Sequence, residues 1–219
     1  AHPRPMMTPP VALTAACLLF VIALLVVDRL QWPLARAFTK LGASTCFVWL
    51  AIVLGAMQSR YGQWVLGALV LGWLGDALLL GKRSAAFMAG LVAFLLSHGL
   101  YATAFVSGPL NGTAMAVALV VACAAGFVVL RWLRPHTPAP FKAPVLVYVV
   151  VILAMCAAAA GHAVASGRWI VLWGAVLFAV SDIAVARQRF VRPSPVNHLW
   201  GWPTYFVAQL LLAWSVATR

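Results

Sequence analysis

The sequence predicts an all-α fold, a polytopic transmembrane bundle of eight helices, on three observations. Eight long apolar runs follow one another, separated by short stretches rich in turn-forming residues. Of the 219 residues, 65% are hydrophobic and 8% charged, with three acidic residues and no glutamate; an ordinary soluble domain is about 25% charged. The 15 Lys and Arg residues fall between the apolar runs rather than on one folded face, so the formal charge of +12 points to lipid headgroups and not to nucleic acid. At ~20 residues per span, eight spans take up roughly 160 residues and leave only short loops. The expected organisation is a tail over residues 1–10 and a single transmembrane domain over 11–219.

The runs cover about residues 11–27, 41–57, 64–80, 85–105, 113–130, 144–162, 169–186 and 202–217. The first is read as a span rather than a removed leader, because no small-residue cleavage site follows it. Turn signals separate the others: Gln31-Trp32-Pro33, Gly81-Lys82-Arg83-Ser84, Ser107-Gly108-Pro109, the 135–144 stretch, Ser166-Gly167 and Arg192-Pro193-Ser194-Pro195. Cys17, Cys46, Cys123 and Cys156 lie inside runs without paired spacing and read as small buried hydrophobes. No metal or other cofactor is expected.

Alternate loops differ in charge. Arg29, Arg36, Lys40, Lys82, Arg83, Arg131, Arg134, Lys142, Arg187, Arg189 and Arg192, eleven in all, fall on one side; Arg4, Arg60, Arg168 and Arg219 fall on the other. The positive-inside rule makes the first side cytoplasmic and puts both termini outside, as in a bacterial inner membrane. Trp32, Trp64, Trp132, Trp169, Trp200 and Trp202 mark span ends, where an aromatic belt belongs.

The three acidic residues divide into two kinds. Asp28 ends the first span beside Arg29 and reads as an interfacial, hydrated charge. Asp76 lies six residues before Lys82 and Asp182 five before Arg187, both inside apolar runs. Both spans run inward, so at 1.5 Å per residue the two carboxyls sit roughly 8 Å from the basic ends. A carboxylate in mid-span costs about 2.5–3.5 kcal/mol on insertion scales and faces a bundle interior or wet cavity. Equal depth therefore suggests one shared site.

Lys40 and Ser44, and Tyr205 and Gln209, are pairs four apart that share helix faces near the same level, and Tyr148 stands about one turn into the sixth span. His98 and Tyr101 form a stripe on the fourth span; counted from Ser84, His98 falls ~12 Å deeper than the aspartates. His162 and His198, at span ends, read as solvated. Gly72 and Gly174 read as close-packing positions or a pocket floor. Asp76 precedes Tyr101 by 25 residues and Asp182 precedes Tyr205 by 23, an echo compatible with a parallel four-plus-four repeat that brings the third and seventh helices together.

At these residues the chain resembles the lysoplasmalogenase, or YhhN, family of eight-span membrane proteins. The resemblance is carried by LGDALLL around Asp76, F-x-x-G-x-x-x-F-x-x-x-H-x-x-Y from Phe87 to Tyr101, P-x-x-x-Y from Pro144 to Tyr148, GAVLFAVSD from Gly174 to Asp182, and TYFVAQLL from Thr204. Two departures stand out: the family has Lys-Pro where Lys40 is followed by Leu41, and the 192–202 loop is unusual.

The resemblance implies hydrolysis of the vinyl ether of a lysoplasmalogen to a fatty aldehyde and glycerophosphoethanolamine or glycerophosphocholine. Such a bond is cleaved by protonation at carbon and capture of an oxocarbenium ion by water, which calls for one protonated carboxyl and one carboxylate. Asp76 and Asp182 are the expected catalytic pair, and Lys40, His98, Tyr101, Tyr148, Ser181, Tyr205 and Gln209 the expected substrate-binding residues, with Lys40 on the phosphate. The expected partners are a lysophospholipid substrate and the bilayer. Two rival classes share intramembrane aspartates. Aspartic intramembrane proteases carry GxGD, and Gly72-Trp73-Leu74-Gly75-Asp76 has one residue too many. A proton-coupled transporter places its carboxylates in broken helices at the midplane.

Overall fold

A computed structural model describes residues 8–217; Arg4, Arg219 and most of the N-terminal tail lie outside the described residues. Among the described residues eight α-helices follow in order: α1 (Pro9–Arg29), α2 (Pro33–Val53), α3 (Arg60–Leu78), α4 (Ser84–Val106), α5 (Gly112–Leu133), α6 (Ala139–Ser166), α7 (Trp169–Ala186) and α8 (Pro195–Trp214). All except α3 and α8 are long and apolar enough to cross a membrane by length and composition alone.

Local chemistry sets the helix ends. Pro occupies the first helical turn of α1, α2 and α8, where its missing N–H costs nothing. Ser59, Asn111 and Ser194 cap α3, α5 and α8 by accepting backbone N–H bonds from Gly62, Ala114 and Val196. Gly55 and Gly167 follow α2 and α6 at φ 86° and 74°, a left-handed conformation that glycine adopts at least cost.

Four boundaries depart from the apolar runs. α2 starts eight residues before the predicted run and α8 seven before it, because their first turns carry polar side chains that lower the hydropathy yet point inward. Pro144 lies inside α6 rather than in a loop. After Ala186 the helical path continues as a π-helical turn over Arg187–Val191. Gln188 Oε1 there accepts both the Ser194 N–H (2.9 Å) and the Asn197 amide (2.7 Å), so most of the unusual 192–202 stretch is the first part of α8.

The helices pack as hairpins, α1 on α2, α3 on α4, α5 on α6 and α7 on α8, joined by α2–α3, α6–α7, α4–α6 and α2–α8 contacts. Adding four to each helix number, counted cyclically, maps α1–α2, α2–α3 and α3–α4 onto α5–α6, α6–α7 and α7–α8, and α4–α6 onto α8–α2. A parallel four-plus-four repeat gives that pattern, from which the α1–α8 and α3–α8 contacts depart. The expected pairing of α3 with α7 is not among the closely packed helix pairs of the described residues. An aromatic layer of Phe94, Phe178 and Tyr205 occupies the space, with ring centroids 5.4–6.1 Å apart.

The buried core includes Phe47, Leu50, Leu69, Phe105, Met155, Phe178 and Phe206. Outside it, α5 buries only Gly126 and Leu133 and exposes Val117, Val120, Val121, Phe127 and Val128 by 60–72%. An aliphatic face of that kind needs lipid as its solvent, so the protein is a multi-pass membrane protein. Cys123 belongs to this exposed face and is not buried as the sequence suggested; all four cysteines are free.

Candidate active site

Asp76 stands near the C-terminal end of α3, 2% exposed, and its carboxyl is held from two neighbouring helices. From α2, Lys40 Nζ lies 3.0 Å from Oδ1 and Ser44 Oγ donates to Oδ2 at 2.6 Å. These residues are four apart, which puts both on the α3-facing side of α2. From α8, the Tyr205 hydroxyl donates to Oδ2 at 2.8 Å. Behind it, Gln209 donates to the Tyr205 oxygen at 3.2 Å and accepts from the Tyr101 hydroxyl at 2.7 Å. Gly72, one turn before Asp76, makes room for that chain, since a Cβ there would lie 2.6 Å from Gln209 Nε2. A cation and two hydroxyl donors hold Asp76 as a carboxylate.

Asp182 on α7 has different company. His98 Nε2 from α4 lies 3.2 Å from its Oδ2, and Tyr148 from α6 lines the same cavity beside it. His98 is fully buried, and its Nδ1 is 2.5 Å from the Phe94 carbonyl oxygen. A carbonyl only accepts, so Nδ1 carries hydrogen. The Nε2–Oδ2 contact is then a hydrogen bond only if one proton is shared between imidazole and carboxyl. No lysine or arginine pairs with this carboxyl among the described residues. Phe178 and Tyr148 close over the imidazole with centroids at 4.3 and 5.3 Å.

Both carboxyls line one cavity of about 430 Å³, together with Lys40, Tyr148, Ser181 and Tyr205. His98, Tyr101 and Gln209 are not among its lining residues; they stand behind Asp182 and Tyr205 and orient them. Ser181 lines the cavity but donates its hydroxyl hydrogen to the Phe178 carbonyl at 2.7 Å. Asp76 and Asp182 occupy corresponding helices of the repeat, and their holders correspond too: α2 and α8 for one, α6 and α4 for the other.

Several depth readings need correction. His98 reaches Asp182 rather than lying a dozen ångströms beyond it, because the α7 helical path runs nine residues past Asp182, to Val191, and not to a loop at Arg187. Asp76, by contrast, is two residues from the end of α3, so equal depth does not follow from equal distance to helix ends. Asp28 is buried, 3.5 Å from Arg36 and 3.0 Å from His198. His198, read as solvated, instead stacks on Trp202 at 4.2 Å and lines the cavity. His162 is also buried, bonded to the Pro109 carbonyl and stacked on Tyr61.

Sequence reasoning missed the rim of the cavity, formed by Arg36, Lys82, Gln188, Arg189, Asn197 and His198. These residues are basic or amide-bearing and belong to the α1–α2, α3–α4 and α7–α8 ends. Their charge was legible, but only as topology. Arg189 lies over the Phe87 ring at 4.5 Å and donates to Ser84 at 3.1 Å, while Lys82 is exposed.

The model of the YhhN family matches residues 35–216. The chain is 32% identical over 191 residues to lysoplasmalogenase TMEM86B of Homo sapiens, covering 86% of this chain and 77% of that one. It is 36% identical over 155 residues to lysoplasmalogenase TMEM86A of Homo sapiens, covering 67% and 62%, and 32% identical over 163 residues to a lysoplasmalogenase of Mycobacterium bovis, covering 70% and 60%. No solved structure matches.

Proposed function

The chain belongs to the YhhN family, and from that premise we propose that it is a membrane hydrolase that cleaves the vinyl ether of lysoplasmalogens, with Asp182 and Asp76 in separate roles. The observation that carries the assignment is a single cavity with two carboxyls in opposite surroundings: one beside a lysine and two hydroxyl donors, the other 3.2 Å from an imidazole nitrogen.

Asp182, with His98 as its proton store and Tyr148 orienting it, protonates the vinyl carbon remote from oxygen. The C=C π pair forms the new C–H bond, and the cation settles on the carbon bearing oxygen, as an oxocarbenium ion. The Asp76 carboxylate stabilises this cation and takes a proton from the water that adds to it. The hemiacetal then collapses. Its C–O bond breaks, the leaving glycerol oxygen takes the proton held by Asp76, and the hemiacetal O–H proton returns to the Asp182–His98 pair. The products are an aldehyde and the glycerophospho headgroup, and both carboxyls are reset. Lys40 is committed to Asp76, so the headgroup phosphate falls to the cavity rim, to Arg36, Lys82 and Arg189. That rim faces the cytoplasm in the orientation set by the basic loops, in a bacterial inner membrane.

The test compares aldehyde release from a lysoplasmalogen and from its saturated alkyl-ether analogue. Release from the first alone is expected, and Asp76→Asn and Asp182→Asn each lower it by about 10²-fold or more. Undiminished release in both variants would sink the mechanism.

A further inference from the structure

A second groove, of about 520 Å³, runs between α5 and α7 over α6. Both helices pack on α6, but α5 and α7 are not a packed pair, so the open side of the groove faces the bilayer. Its walls are aliphatic and aromatic apart from Cys156 and two polar residues, Tyr148 and Asp182. These two also line the polar cavity, so the groove and the cavity meet there. Asp76 lines the cavity and not the groove. From Asp182 the α7 wall continues through Ala179 and Val176 to Leu172. Ten residues of helix measure about 15 Å, one leaflet's share of a hydrocarbon core ~30 Å thick.

We infer that this groove holds the hydrocarbon chain of the lysolipid and that the substrate reaches the carboxyls sideways from the bilayer. The inference rests on the hydrolase reading. A lysolipid has one chain and one headgroup, and here an apolar groove and a basic-rimmed cavity are joined at a carboxyl. The chemistry fixes the direction. The carbon that must be protonated lies on the chain side of the ether oxygen, so the acid belongs at the mouth of the chain site. Of the two carboxyls, Asp182 is the one there. A chain that slides from lipid into the groove stays in apolar surroundings, whereas one threaded through the rim would pass Lys82, Arg36 and Arg189.

The test uses the full chain in phospholipid vesicles. The probe is a 1-O-alkyl lysophosphoethanolamine, which lacks the vinyl group, with a diazirine near the methyl end of its chain. After photolysis, label that an excess of the unmodified alkyl-ether lysolipid competes away is expected on Leu172, Val176, Ile152 or their groove neighbours. Competable label confined to other faces, or no competable label, overturns the inference. Filling the groove by Ala179→Trp, or by Ala122→Trp from the opposite wall, is expected to remove that label and to lower aldehyde release from a long-chain lysoplasmalogen about tenfold. Val117→Trp, on the lipid face outside the groove, leaves both unchanged. Aldehyde release with the label elsewhere removes the groove and keeps the hydrolase; groove label without aldehyde release from the wild type removes the hydrolase reading itself.

Discussion

The position of Lys40 in the sequence does not separate two candidate roles, phosphate ligand and partner of a buried carboxyl. A lysine one or two turns inside a span looks like a phosphate ligand, yet its ammonium lies 3.0 Å from Asp76 Oδ1 and 3.3 Å from the Asp76 backbone carbonyl oxygen. Removing one member of a buried ion pair strands the other charge and costs about 3–5 kcal/mol. Lys40→Met should therefore lower thermal stability in detergent by that amount and abolish aldehyde release. Adding Asp76→Asn should restore most of the stability and none of the activity, a coupling that a double-mutant cycle measures. If Lys40 served the phosphate alone, Lys40→Met would raise KM and leave stability unchanged. At this scale the sequence showed which side chains matter, because a carboxylate inside an apolar run is conspicuous and i, i+4 spacing exposes shared faces. It did not show who pairs with whom. That depends on how α2, α4, α6 and α8 surround α3 and α7, and no local pattern encodes it.

Eight helices could be counted from apolar runs, and the turn residues marked most of their ends. The starts of α2 and α8 were hidden, because Arg36 and Lys40, and Asn197 and His198, are polar residues facing a cavity inside the bundle rather than water. The join between α7 and α8 was equally illegible. It depends on one side-chain oxygen, Gln188 Oε1, serving a backbone N–H and a side-chain amide at once. Gln188→Ala leaves both donors without that acceptor and should cost about 1–3 kcal/mol. Hydrogen exchange should rise at 192–197 in particular, and an unchanged exchange pattern there would count against this join.

Across the described residues the main helix pairs repeat after four helices, but the Asp–Tyr spacings of 25 and 23 residues do not trace it, since the α4 side chain beside Asp182 is His98 and Tyr101 bonds Gln209. The repeat also ties the site to topology, since helices related by four cross in the same direction. On the orientation proposed from the basic loops, the cavity rim lies on the cytoplasmic side. In a cysteine-free background, Lys82→Cys should react with a membrane-impermeant maleimide only from the cytoplasmic face, and Met57→Cys only from the opposite face. The reverse pattern would invert the protein and move the rim outside.

A cavity with a basic rim at one end and an open apolar groove at its side is a phase boundary enclosed in protein. On the proposed reaction the two products part along it. The aldehyde withdraws into the hydrocarbon it came from, and the glycerophospho headgroup dissolves into water. Neither departure waits on the other, and re-forming the ether would require both to return at once from different solvents. The architecture thereby gives each product its own exit into the solvent that suits it.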